Sequence, residues 1–197
     1  MRPAEIERNT METQIKVRLD LDGTGVYDIQ TGCGFFDHML AQLSRHGLID
    51  LKIKAAGDLH VDAHHLIEDT GIALGKAFAQ ALGDKKGINR YGSACIPMDE
   101  TLTRCVLDLS GRSAFVWHVR FPTEKVGDLD TEVFKEFFAA MADNLRAAVH
   151  IENLYGDNSH HIAESCFKAF ARALRHAVET NPRACEVLPS TKGTLSC

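Results

Sequence analysis

The stretches "ETQIKVRLDLDG" at residues 12–23 and "ETLTRCVLDLSG" at 100–111 have the same length, open on Glu-Thr and close on a turn glycine. In the first, Ile15, Val17, Leu19 and Leu21 alternate with polar residues, the period of a half-buried strand. The "DGTG" at 22–25 is a turn signal that can fold this region into a hairpin. Outward from the first copy, "FFDHMLAQLSRHG" (35–47) has apolar residues at helical spacing and ends on glycine. "LIDLKIKAAGD" (48–58) returns to strand alternation. "HHLIEDTGIALGKAFAQALG" (64–83) is then an amphipathic helix with Ile67, Leu74, Phe78 and Leu82 on one side.

The second copy is followed by the same order: "EVFKEFFAAMADNLRA" (132–147) as helix, "AVHIENLYGDN" (148–158) as strand, and "HHIAESCFKAFARALRHAV" (160–178) as helix. The unit is strand, strand, helix, strand, helix, written twice, with halves at 1–92 and 93–197. "DKKGINRYGSACIPMD" (84–99), rich in Gly, Lys and Pro, reads as the linker. This predicts an α+β fold with helices covering one face of each sheet. The halves should pack together as one compact domain, because either alone would expose an apolar face.

Composition narrows the function classes. With 22 Lys plus Arg against 27 Asp plus Glu, the net charge of -5 argues against general nucleic-acid or acidic-membrane binding. No apolar run approaches a membrane span of roughly 20 residues, and the first 20 residues lack the apolar centre of a secretory signal. A cytoplasmic protein is the expectation. Cys33, Cys95, Cys105, Cys166, Cys185 and Cys197 form no C-x-x-C pair and read as reduced thiols, with Cys166 packed inside a helix. Fingerprints of dinucleotide oxidoreductases, P-loop enzymes, zincin proteases and serine hydrolases are missing.

The helix starts carry the chemistry. On a helix, residues three and four apart are neighbours, so His64 and His65 can each share an edge with Glu68. The second half repeats this with His160, His161 and Glu164 and extends it to Lys168. Two imidazoles and a carboxylate at this spacing suit manganese, iron or zinc, and the lack of thiols argues against a structural zinc site. One copy alone would more often be a solvated first turn favoured by the helix dipole than a ligand set. Two copies keep His, His and Glu while the sequence after them diverges, which favours metal binding, with ligands drawn from both halves or both chains because one helix edge cannot surround an ion. Further candidates are His38, with Asp37 beside it to fix its tautomer, and Glu136 at the corresponding place in the duplicate. Arg90, Arg112, Lys168 and "PSTKG" at 189–193 are basic or hydroxyl-bearing segments suited to a phosphate or carboxylate. A di-iron carboxylate protein and a metal-storage shell are the rival readings; the former uses Glu-x-x-His, the reverse order, and lacks interleaved strands, and the latter has no use for an anion set.

Taken together, "RNTMETQIKVRLDLDGTG", "GFFDHMLAQLSRHGLIDL", "DAHHLIEDTGIALGKA", "GINRYGSACIPMDETL", "DLSGRSAF", "GDNSHHIAESCFKAFARAL" and "PSTKG" resemble the imidazoleglycerol-phosphate dehydratase family over nearly the whole chain. The resemblance implies a lyase of histidine biosynthesis that dehydrates imidazoleglycerol phosphate to imidazole-acetol phosphate through a metal-bound imidazolate. It implies two Mn2+ per active site and a large symmetric shell of twenty-four subunits with active sites between chains. Carried over by position, the metal ligands are His38, His64, His65, Glu68, Glu136, His160, His161 and Glu164; some relatives have histidine in place of Glu136. The implied substrate residues are Glu12, His38, His46, His64, Glu68, Arg90, Arg112, His160, Lys168, Ser190 and Lys192, with Arg90, Arg112, Lys168, Ser190 and Lys192 converging on the phosphate. Glu12 and Glu164 are the candidates for proton transfer.

Overall fold

A computed structural model describes residues 1–195, so the thiol expected at Cys197 lies outside the described residues. The first half comprises β1 (Pro3–Asn9), β2 (Thr13–Asp20), β3 (Tyr27–Gln30), α1 (Gly34–Gly47), β4 (Asp50–Gly57) and α2 (His64–Leu82). The second comprises β5 (Tyr91–Met98), β6 (Thr101–Asp108), β7 (Ala114–His118), a small β8–β9 hairpin (Lys125–Val126, Leu129–Asp130), α3 (Val133–Leu145), β10 (Ala148–Tyr155) and α4 (Ser159–Val178). The two four-stranded sheets have equivalent orders, β1-β2-β4-β3 and β5-β6-β10-β7. The duplication written in the sequence is therefore a duplication of topology.

The alternation works as expected. Ile15, Val17 and Leu19 of β2 stand opposite Ala55, Ile53 and Leu51 of β4, and all six are buried. The intervening Lys16, Arg18, Lys52 and Glu5 face outward, where Lys16 and Arg18 pair with Glu5 and Lys52 with Asp28. Helices α1 and α2 lie on the inner face of the first sheet and α3 and α4 on that of the second, with α2 packed along α3 and α1 along α4. The helices thus form a shared layer between two sheets. At its centre Phe36 meets Phe137 across the halves, with ring centroids 5.5 Å apart, and Phe138 meets Phe167 at 4.8 Å. Each such side chain, fully buried, is worth roughly 1.5–3 kcal/mol of transfer free energy. Where α2 crosses α3, a Cβ added to Gly71 would sit 2.6 Å from the Phe137 carbonyl oxygen, and one on Gly75 would sit 2.7 Å from that of Met141. Only glycine allows the backbones to approach so closely.

Three expectations need correction. The repeat carries an extra leading strand, β1 and β5, in each half. The "DGTG" turn does not make a hairpin of β2 and β3. Asp50 accepts hydrogen bonds from the Thr24 and Val26 amides at 2.8 and 2.9 Å, tying the loop to the start of β4. Strand β4 pairs with both β2, antiparallel, and β3, parallel. The segment 84–99 is not a free linker, since β5 occupies Tyr91–Met98 and pairs with β6 along its length; the expected boundary at 92/93 falls within that strand. Its glycine is a packing device, because Gly92 lies against the backbone of Ala173 on α4. No helix among the described residues is long and apolar enough to cross a membrane.

Candidate active site

The N-terminus of α4 is set by Asn158, whose side-chain oxygen accepts from the His160 and His161 amides at 2.9 and 3.3 Å. This cap fixes both histidines in the first turn and puts Glu164 and Lys168 on the same edge. His38, on the second turn of α1, reaches the same place from the other half. Its Nε2 lies 3.2 Å from Glu164 Oε2, and His160 Nε2 lies 3.1 Å from that oxygen. Lys168 Nζ holds the other carboxylate oxygen at 2.7 Å. Ligand atoms of His38, His160 and Glu164 all fall within 4.8 Å of one another, a nitrogen and oxygen group able to hold a divalent cation. Glu164 is only 6% exposed. Burial pushes its carboxyl up, but Lys168, His38 and His160 outweigh that and keep it below the usual range.

His46 lies two turns beyond His38 on α1, and Gln42 bridges them, 3.5 Å from His38 Nδ1 and 3.0 Å from His46 Nε2. Burial, with the cations of Lys168 and Arg172 nearby, lowers the pKa of His46 and favours its neutral imidazole. Asp37 does not orient His38. Its carboxylate is taken by the Thr31 amide and hydroxyl at 2.9 and 2.7 Å, which fastens the loop before α1 instead.

At the head of α2, the Asp62 carboxylate accepts from the His64 amide at 2.7 Å, and His64 Nε2 stands 3.4 Å from Glu68. His65 finds a different carboxylate, Asp58. Its Nδ1 bonds to Asp58 Oδ2 at 3.0 Å and lies 3.9 Å from Glu12, and the Asp58 bond raises its pKa. The duplicate behaves alike, with His161 Nδ1 2.7 Å from Glu100 Oε2. The His161 bond pulls the Glu100 carboxyl down to about 2. Sequence reasoning missed Asp58 and Glu100; for Glu100 the signal was present in the Glu-Thr that opens both repeats. Glu136, in the first turn of α3, is outside the His38, His160 and Glu164 group. Beside His64 opens a cavity of about 630 Å³ lined among others by Cys33, Phe35, Val61 and Leu129. The Phe35 ring, which lines this cavity, meets the His160 ring edge-on at 5.1 Å.

The anion residues do not converge within one chain. Arg90 forks onto Asp108 at 2.7 and 3.0 Å and donates to the Pro189 carbonyl at 2.8 Å. It thereby ties down the turn in which Ser190 accepts from the Lys192 amide at 3.2 Å. This group sits at the Tyr91 end of β5. Lys168 approaches Met98 at the other end, seven residues or roughly 23 Å along the strand at about 3.3 Å per residue. Arg112 is exposed on the turn after β6.

A family model for imidazoleglycerol-phosphate dehydratase matches residues 31–174. Proteins of that name from Roseobacter denitrificans and Paracoccus denitrificans are 61% and 60% identical to this chain over 195 residues, 99% of it and 100% of each relative. The crystal structure of imidazoleglycerol-phosphate dehydratase from Staphylococcus aureus superposes with a TM-score of 0.83 at 40% identity, covering 91% of this chain and 99% of the other. That of the Pyrococcus furiosus protein, in complex with (S)-C348, gives 0.83 at 35% identity, covering 96% and 99%. The duplicated topology, the paired histidine edges and these full-length matches make one assignment: the chain belongs to the imidazoleglycerol-phosphate dehydratase family.

Proposed function

We propose that the chain removes water from imidazoleglycerol phosphate to give imidazole-acetol phosphate at a dimanganese site shared between copies in a twenty-four-subunit assembly. Membership of the family makes the chain an enzyme, a hydro-lyase acting in histidine biosynthesis. The observation that carries the metal reading is the meeting of His38 with His160 and Glu164 across the two halves. Three donors with no thiol fit a manganese ion whose coordination another copy completes. His64, Glu68, His65, His161 and Glu136 are the further ligands proposed for the pair of ions. When bound, the two ions would supply Lewis acidity to the imidazole ring of the substrate. Support for a site between chains comes from the separation of Arg90, Ser190 and Lys192 from Lys168 along β5: a phosphate held by all of them needs two copies. The free thiols of Cys33, Cys95, Cys105, Cys166 and Cys185 favour a reducing compartment such as the cytoplasm.

The reaction takes the hydroxyl from the carbon attached to the ring and a hydrogen from the next carbon. That C–H proton goes to a carboxylate, the C–O electron pair leaves with the hydroxyl, which takes up a proton as water, and the enol tautomerises to the ketone. Glu12 is the better base. Its side chain is 55% exposed and lies 3.9 Å from its nearest cationic partner, His65, whereas the oxygens of Glu164 are committed to His38, His160 and Lys168. His46, whose pKa is lowered by burial and by the Lys168 and Arg172 cations, contributes a hydrogen-bonding imidazole beside Lys168. The test is the purified protein assayed with imidazoleglycerol phosphate after chelation and after manganese repletion. Ketone formation lost and restored with the metal is expected; no ketone under any condition overturns the proposal.

A further inference from the structure

We infer that Asp58 and Glu100 are positioning residues that fix the ring tautomers of His65 and His161, and that the two halves have divided this task differently so that Glu12 stays free. The inference rests on the metal reading above and concerns groups outside the ligand set. In the first half, Asp58 Oδ2 accepts from His65 Nδ1 at 3.0 Å. In the second, Glu100 Oε2 accepts from His161 Nδ1 at 2.7 Å. A histidine whose Nδ1 carries the proton into a carboxylate keeps a lone pair on Nε2, the state a cation requires, and the carboxylate also stops the ring from rotating; in His161 that Nε2 faces the exposed Asp99 carboxylate at 3.7 Å.

The duplication makes this more than a chance contact. Glu12 and Glu100 occupy the same place in the two repeats, and Asp58 corresponds to Asp157, each following the glycine of a "GD" at the end of β4 and of its duplicate β10. Both halves thus own both carboxylates and use different ones. Glu100 is held from three sides, since its other oxygen accepts from the Thr101 hydroxyl at 2.8 Å and the Asn158 amide at 3.2 Å. It is locked to the start of α4 and to His161 together. Asp157 is left exposed. In the first half the roles are exchanged: Asp58 is 18% exposed and takes the histidine, leaving Glu12 at 55% exposed and 3.9 Å from it. The half that keeps Glu12 for the substrate needs a second carboxylate to hold its ring.

The experiment measures manganese dissociation constants by electron paramagnetic resonance titration, together with the melting temperature of the metal-free protein, for Asp58→Ala, Glu100→Ala, Glu100→Gln and Asp157→Ala. Both alanine variants at Asp58 and Glu100 are expected to weaken manganese binding on the order of 10- to 100-fold. Glu100→Gln, whose amide oxygen still accepts from Nδ1, should weaken it less, Asp157→Ala should leave it unchanged, and the metal-free melting temperature of Asp58→Ala should match the wild type, while the Glu100 variants melt lower because the Thr101 and Asn158 bonds are lost or weakened. Dissociation constants unaltered at Asp58 and Glu100 overturn the inference. Equal losses of manganese binding in Glu100→Ala and Glu100→Gln, with a lowered metal-free melting temperature for Asp58→Ala, overturn it in favour of a purely structural role. A wild-type chain that takes up no manganese overturns the metal reading itself and the inference with it.

Discussion

His38 Nε2 and Glu164 Oε2, one from each half of the duplicated chain, stand 3.2 Å apart. Neither half alone has this arrangement, so the ligand group exists only because α1 packs along α4. Glu164→Gln keeps the size of the side chain and removes the charge that His38, His160 and Lys168 all address. It is expected to lower kcat/KM by more than the 10- to 100-fold typical for loss of a ligand's supporting partner, and to lower bound manganese, read by elemental analysis of the dialysed protein. Full metal content with full activity would remove Glu164 from the centre.

Glu12 gives the opposite pattern. As a free carboxylate acting on the substrate, its replacement in Glu12→Gln should reduce kcat by about 10²- to 10⁴-fold, the usual worth of a positioned base. Manganese content should stay at the wild-type level. Loss of metal in parallel with kcat would make Glu12 a ligand rather than a base.

The sequence made the duplication, the four helices and the His-His-x-x-Glu edges legible because each rests on local periodicity. Ile15, Val17 and Leu19 announce a strand wherever the chain goes. The pairing of β4 between β2 and β3 was not legible, because the turn at 22–25 reads locally as a hairpin while β4 reaches its place only through the crossover by α1, a non-local pairing. The same limit applies at the site. Helical spacing placed His64 near Glu68 and His160 near Glu164, but it gave no sign that a carboxylate from just past β4, Asp58, takes the His65 Nδ1. Asp37 likewise sat next to His38 in the chain and bonded elsewhere.

The α2–α3 contact predicts a packing limit. Gly75→Ala puts a methyl group against the Met141 carbonyl at 2.7 Å and the Asn144 Cβ at 2.8 Å, where helix backbones rather than side-chain ends must yield. Overpacking of this kind costs about 1–3 kcal/mol. Thermal unfolding of the variant should show the loss, and an unchanged or higher melting temperature would mean the helices separate freely.

Asp50 predicts an acid dependence. The Val26 and Thr24 amides hold its carboxyl below the usual carboxylate range, so the folded chain keeps the charge at a pH where the unfolded chain has begun to bind a proton. Its contribution is therefore present above the unfolded value near 4 and fades as pH falls through the lower folded value. Asp50→Asn should show a lower urea midpoint than wild type at pH 7, and the gap should narrow by about pH 3. A gap that widens on acidification would contradict the assignment.

The thiols test the core directly. Cys105 on β6 and Cys166 on α4 are fully enclosed between the second sheet and its helix. Burial pushes the Cys166 thiol up to about 12 and raises that of Cys105 further still. Alkylation needs a thiolate and an approach path, and both are denied here, while Cys185 is exposed on the surface. Iodoacetamide at pH 8 should label Cys185 in the native protein and reach Cys105 and Cys166 only after unfolding, followed residue by residue in peptide mass spectra. Native labelling of Cys166 at the rate of Cys185 would show that α4 does not seal against β6, and the helix that carries His160, His161 and Glu164 would then lack the rigid seat the metal reading requires.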